Sequence, residues 1–158
     1  MNDTAARIEE LKTSLRLQPH VEGGHYHRFH PSKGAEHVGA RHAMTAIHYL
    51  LEADECSSWH RVDAEEAWHF VEGEPLELLI YNPVTNRLDR CTLGPLTDGM
   101  QAVSVVPAGA WQAARPLGAY ALATCLVAPG FQYEGFELLA QDDPLAAHLA
   151  GLVPEISF

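Results

Sequence analysis

The chain alternates between two hydrophobic periods. Near the start, residues 4–17 place Ile8, Leu11 and Leu15 on one face of a 3.6-residue repeat, with Glu9, Glu10, Lys12 and Arg16 elsewhere. This predicts a short amphipathic helix ending before Pro19. From there the period shortens to two. Tyr26, Arg28 and His30 share one face of a strand that follows the Gly23-Gly24 pair, and residues 32–42 read as loop. Apolar residues between His42 and Val62 form two strands joined at Glu52–Glu55. A turn over Asp63 and Ala64 leads to a strand from Glu65 to Val71, expected to fold back on the preceding one as a hairpin. LELLIY (76–81), NPVTN (82–86) and RLDRCTL (87–93) predict a second hairpin, with Pro83 at the second position of its turn. Val103–Val106 is a strand broken by Pro107 and Gly109. Residues 119–131 have a buried-strand pattern stopped by Pro129 and Gly130, and residues 133–140 form the last strand. Asp143 as cap and Pro144 at the first helical position start a closing helix with Leu145, His148, Leu149 and Leu152 on one face. Short strands between two terminal helices predict an all-β sandwich or barrel.

Composition narrows the setting. A length of 158 residues with 47% hydrophobic residues suits a single domain, 1–158, with its core over about 18–140. No apolar run approaches a membrane span, and the first residues lack the character of a signal peptide, so a cytoplasmic location and no membrane partner are expected. Cys56, Cys91 and Cys125 are odd in number and widely spaced, which suits reduced thiols better than a disulfide framework or zinc knuckle. A net charge of −11 repels phosphate backbones and argues against nucleic acid as a partner.

Candidate chemistry concentrates between Ser58 and Gly73, SWHRVDAEEAWHFVEG, where a hairpin would bring His60 close to Glu66. A histidine beside a carboxylate suits proton transfer or metal ligation. Strand alternation puts Glu66, Trp68 and Phe70 on one face and Glu65, Ala67 and His69 on the other. The larger aromatic area favours the first face inward; in the other register His69 becomes the pocket base. His25, His27 and His30 are a lesser metal reading, since histidines at a loop entry more often make ordinary hydrogen bonds. Arg28, Arg41 and Arg61 are candidates for gripping an anionic group.

Six blocks in order, HVEGGHYHR (20–28), TAIHYLL (45–51), SWHR (58–61), EEAWHFVEGEPL (65–76), VVPAGAW (105–111) and CLVAPGFQYEGFEL (125–138), resemble the cupin-5 or DUF985 group of cupins. The resemblance implies a double-stranded β-helix, the cupin jelly roll, similar to sugar-nucleotide epimerases. It aligns His60, Glu66 and Gly73 with the first cupin motif, puts Val62 where that motif has its second histidine, and puts Gln112 at the histidine position of the second motif. The cofactor is therefore open: a divalent metal is compatible with the resemblance, but His60, Glu66 and Gln112 are an incomplete ligand set, which His69 or His48 would have to supplement.

The expected partner is a small molecule, and the edge strands of a jelly roll favour a homodimer, with residues 20–30 adding to a neighbouring sheet or pairing within their own chain. The leading expectation is an isomerase- or epimerase-like enzyme on a sugar or other small polar metabolite, with His60 as general base and Glu66 beside it. Tyr49, Trp59, Trp68, His69, Trp111, Gln112 and Glu137 are candidate ligand-binding residues, with Tyr133 a further one. The alternatives are a metal-dependent, oxygenase-like cupin and a non-catalytic small-ligand binder.

Overall fold

The computed structural model of the protein describes residues 3–31 and 40–156, so most of the expected loop over 32–42 lies outside the described residues. Among the described residues, eleven strands form two antiparallel sheets. The larger has the order β1 (Gln18–Pro19), β2 (His25–Pro31), β3 (Thr45–Glu52), β10 (Tyr120–Ala128), β5 (Glu65–Gly73) and β8 (Val103–Val106). The smaller has the order β11 (Phe136–Leu138), β4 (Ser57–Val62), β9 (Trp111–Pro116), β6 (Leu76–Asn82) and β7 (Arg87–Leu93). The two sheets face each other across a core of inward alternate positions, among them Tyr49, Leu51, Trp68, Leu76, Leu78, Leu93 and Ala123. The architecture is the expected all-β jelly roll with terminal helices.

Local pattern located most strands, but several of their partners differ from expectation. β3 and β4 do not form a hairpin, nor do β4 and β5: in both cases the chain crosses from one sheet to the other. The short links over Ala53–Cys56 and Asp63–Ala64 are corners of the jelly roll, because an isolated hairpin would leave the second face of each strand uncovered. The expected β6–β7 hairpin is present, its register running from Leu76 opposite Leu93 to Asn82 opposite Arg87. β2 pairs with β3 of its own chain. The last strand is shorter than expected, with a single 3-10 turn at Tyr133–Gly135 ahead of β11.

Each helix covers the outer face of one sheet. α1 (Asp3–Ser14) lays Ile8 and Leu11 on Leu50 and Leu122 of the larger sheet. α2 (Pro144–Leu152) buries Ala146 and Leu149 against Trp59, Leu79, Tyr81 and Trp111 of the smaller. The buried stripe of α2 is thus displaced from the expected one, and Leu152 is exposed. Asp143 accepts a hydrogen bond from the Leu145 backbone N–H at 2.8 Å, and Pro144 follows as the first helical residue. Asp143→Ala leaves that donor unsatisfied and is expected to cost about 1 kcal/mol. For a domain of this size the melting temperature should fall by about 2–4 °C; an unchanged melting curve would show that solvent replaces the cap. Among the described residues no helix is long and apolar enough to cross a membrane.

Candidate active site

A cavity of about 250 Å³ lies between the sheets. The larger sheet contributes Tyr26 and Arg28 from β2, Thr45 and Ile47 from β3, Glu66 from β5 and Cys125 and Val127 from β10. The smaller contributes His60 and Val62, and the chain after β10 closes the wall with Phe131, Tyr133 and Phe136.

His60 is 2% exposed and its ring is held in one orientation. Nδ1 lies 2.8 Å from the Ser58 carbonyl oxygen, which can only accept, so Nδ1 carries the proton. The lone pair of neutral His60 is then on Nε2, 3.4 Å from Glu22 Oε2. Burial lowers the His60 pKa below its ordinary value, against the opposing influence of Glu66. Near neutral pH the imidazole is therefore a free base.

Glu66 is the second fixed point. It is 7% exposed, and burial pushes its carboxyl up to about 7; His60 and the Gln112 hydrogen bond oppose the shift, while Glu22 adds to it. Gln112 sits beside His60 in the smaller sheet and reaches across to Glu66 in the larger, donating from Nε2 to Oε2 at 2.6 Å. Its amide orientation is decided by Trp68, whose indole N–H can only donate and does so to Gln112 Oε1 at 2.8 Å. This buried chain ties the two sheets together and holds one carboxylate oxygen of Glu66.

Glu22 is a third titratable group that the strand pattern did not single out, and His20 is a fourth. The backbone N–H of Gly23 donates to the His20 carbonyl oxygen at 3.1 Å, closing a tight turn that puts Glu22 into the cavity. Gly23 has φ +105, and a Cβ there would lie 2.2 Å from the Cys56 carbonyl oxygen, so the turn requires glycine. Tyr49 Oη donates to the Gly23 carbonyl oxygen at 2.6 Å, and Ser57 Oγ donates to Glu22 Oε1 at 3.1 Å. Burial raises the Glu22 pKa and lowers that of His20. The only sequence signal was the Gly-Gly pair after an acid, which marks a turn but not its direction.

The structure brings His60, Glu66, Gln112 and Trp68 together and puts Tyr49 in support behind the Glu22 turn. It separates the other candidates from the cavity. Trp59 and Trp111 lie on the outer face of the smaller sheet under α2, because strand alternation puts them opposite the inward His60 and Gln112. His69 is exposed on the outer face of the larger sheet, so the Glu66, Trp68, Phe70 register is the one adopted. Glu137 is exposed and paired with Arg61, Nη2 to Oε2 at 2.6 Å. Arg61 also covers the outer face of Trp111.

The positions that the cupin resemblance assigns to metal ligands do not fit an ion. Val62 has no donor atom, and Gln112 turns its N–H groups toward Glu66 because its oxygen is already engaged by Trp68. Among the described residues, the group of His and acid side chains with converging donor atoms is His25, Glu52 and Glu55, none of which lines the cavity. Glu52 already binds Lys12.

Residues 9–139 match the family described as Cupin superfamily (DUF985). The chain belongs to that family. A crystallised protein from Shewanella oneidensis is 30% identical, with TM-score 0.86 and 95% of this cupin and 96% of that chain covered. A hypothetical protein from Leishmania major is 29% identical, with TM-score 0.76 and coverages of 93% and 92%. Bacillus subtilis oxalate decarboxylase shares the fold at 12% identity, with TM-score 0.60 over 88% of this chain and 34% of its own. No curated protein matches the chain.

Proposed function

We propose that this cupin is an isomerase- or epimerase-like enzyme that moves a proton at a carbon next to a carbonyl group of a small polar metabolite. The observation that carries the reading is the His60 imidazole, with Nδ1–H committed to the Ser58 carbonyl and Nε2 left as the free base in a cavity that also holds Glu66. A base with a lone pair and an acid titrating near 7 are the two groups an enolisation needs. His60 Nε2 takes the proton from carbon, the C–H electron pair becomes the C=C bond of an enediol, and protonated Glu66 gives its proton to the carbonyl oxygen. His60 then returns the proton to the neighbouring carbon while the hydroxyl on the first carbon gives its proton to the Glu66 carboxylate, which yields the isomer and restores both groups. An epimer requires the enediol to turn its other face to His60 before the proton returns. Ile47, Val127, Phe131 and Phe136 supply the apolar walls that keep the carbanion-like state from bulk water.

The test is exchange of carbon-bound hydrogen in D2O, followed by NMR across a panel of α-hydroxy ketones and 2-oxo acids. Exchange above the uncatalysed rate is expected for at least one class, and it should vanish in Ile47→Trp, which fills the cavity. Ligand-induced stabilisation without exchange across the panel would instead favour a non-catalytic binder. Exchange that survives filling the cavity would place the chemistry elsewhere.

A further inference from the structure

The substrate class follows from the one arginine that lines the cavity. Six other arginines, Arg7, Arg41, Arg61, Arg87, Arg90 and Arg115, pair with carboxylates, as a chain of net charge −11 would lead one to expect. Arg41 and Arg61, which the sequence offered beside Arg28 as anion receptors, are both committed in this way. Arg28 makes no ion pair among the described residues. Its guanidinium carbon instead stands 5.7 Å from the centre of the Phe131 ring, which orients the group without satisfying its fork of donors.

The backbone also keeps Arg28 in place. A register shift between Arg28 and His30 leaves Arg28 opposite Ile47, a cavity-lining residue, and turns His30 to lie opposite Ala46 on the outer side. Without that bulge, strict alternation would have put His30 on the inward face. Tyr26 lies two residues away on the same strand and Tyr133 lines the same cavity, so two phenols stand with Arg28 along its wall.

From this arrangement we infer that the substrate carries a carboxylate or phosphate group, held at the rim by Arg28 with Tyr26 and Tyr133, while its carbonyl end reaches His60 and Glu66. The inference rests on the reading of the cavity as a substrate site. Arg28 is a specificity-determining residue: it selects the anion and takes no part in moving the proton. Guanidinium binds both groups through paired N–H donors, so the shared chemistry is an anionic oxygen pair.

The experiment is calorimetric titration with dihydroxyacetone phosphate, pyruvate and uncharged dihydroxyacetone. At least one anionic probe should bind more tightly than dihydroxyacetone, with an affinity that falls as salt is added. Which anion binds better separates phosphate from carboxylate. Arg28→Gln should weaken the anionic probe by at least roughly tenfold. Arg28→Lys should recover part of that loss, because it keeps the charge and loses the fork. Arg28 is exposed, so both variants should fold, which their melting curves would verify. Wild-type protein that binds neither anion, or Arg28→Gln that binds the preferred anion as well as wild type, would overturn the inference. Failure of the proton-transfer reading shows differently: Arg28-dependent anion binding would persist while no probe exchanges hydrogen.

Discussion

Replacing His60 with asparagine is expected to slow carbon-bound hydrogen exchange by roughly 10²–10⁴-fold, the contribution ordinarily made by a positioned general base. Asparagine can still donate to the Ser58 carbonyl from its amide nitrogen, which preserves the bond that now fixes Nδ1. It has no group near Nε2 that accepts a proton at neutral pH. Because His60 is 2% exposed, the smaller side chain leaves unfilled space, and His60→Gln is the companion variant: it reaches the Nε2 position with an amide that is equally unable to act as a base. Loss of exchange in both variants, with cooperative melting retained, would assign the base. Exchange at the wild-type rate in either folded variant would remove His60 from the chemistry and leave Glu22 or Glu66 as the group to test.

Much of the fold was legible because burial on one face leaves a period-two signature. The register of β5 is the clearest case, since Glu66, Trp68 and Phe70 could be chosen as the inward set from aromatic area and from the alignment of Glu66 with the cupin glutamate, and the structure places them inward. Pairing partners were less legible. The segments on either side of Asp63–Ala64 look like a hairpin, yet they belong to different sheets, and nothing in a strand's own alternation says which strand lies beside it. β9 went unrecognised as a strand because WQAARP is rich in alanine and ends in proline, weak local signals for a segment buried between β4 and β6.

The candidate site shows the same division. His60 and Glu66 were found from residue type and spacing, although they meet across two sheets and not within one hairpin. Trp59 and Trp111 were misplaced because their size suggested a ligand platform. The size instead serves the seam under α2, and alternation from the inward His60 and Gln112 already puts both rings on that outer face. Glu22 and His20 were passed over because they sit in a turn, where no period says which way a side chain points. The cavity therefore combines a legible half, carried by strands, with a half carried by a turn and a bulge.

Glu66→Gln is expected to stabilise the protein at pH 8 while abolishing the acid that the proposed reaction uses. The sign follows from a carboxyl whose folded-state pKa is raised, from 4.5 to about 7. At pH values below 4.5 the group is protonated in both folded and unfolded chains and affects neither. Between 4.5 and 7 the unfolded chain releases the proton first, so folding loses stability as pH rises, and above 7 the loss is complete. At about 1.4 kcal/mol per unit, the shift corresponds to a burden of about 3 kcal/mol at pH 8. Glutamine never ionises, and its side-chain oxygen can still accept from Gln112 Nε2, so most of that burden should be lifted. Urea unfolding at pH 4 and pH 8 tests this directly: the variant's advantage should be near zero at the lower pH and large at the higher. A variant advantage independent of pH would show that Glu66 does not titrate as its burial requires. In the wild type the same ionisation should make exchange fall as pH rises through about 7, while the low His60 pKa keeps the base free on the acid side, with the two groups titrating as a coupled pair. The carboxyl that weakens the fold at neutral pH is thus the one whose retained proton suits the reaction, and the stability lost at Glu66 is a direct measure of how strongly the site holds that proton.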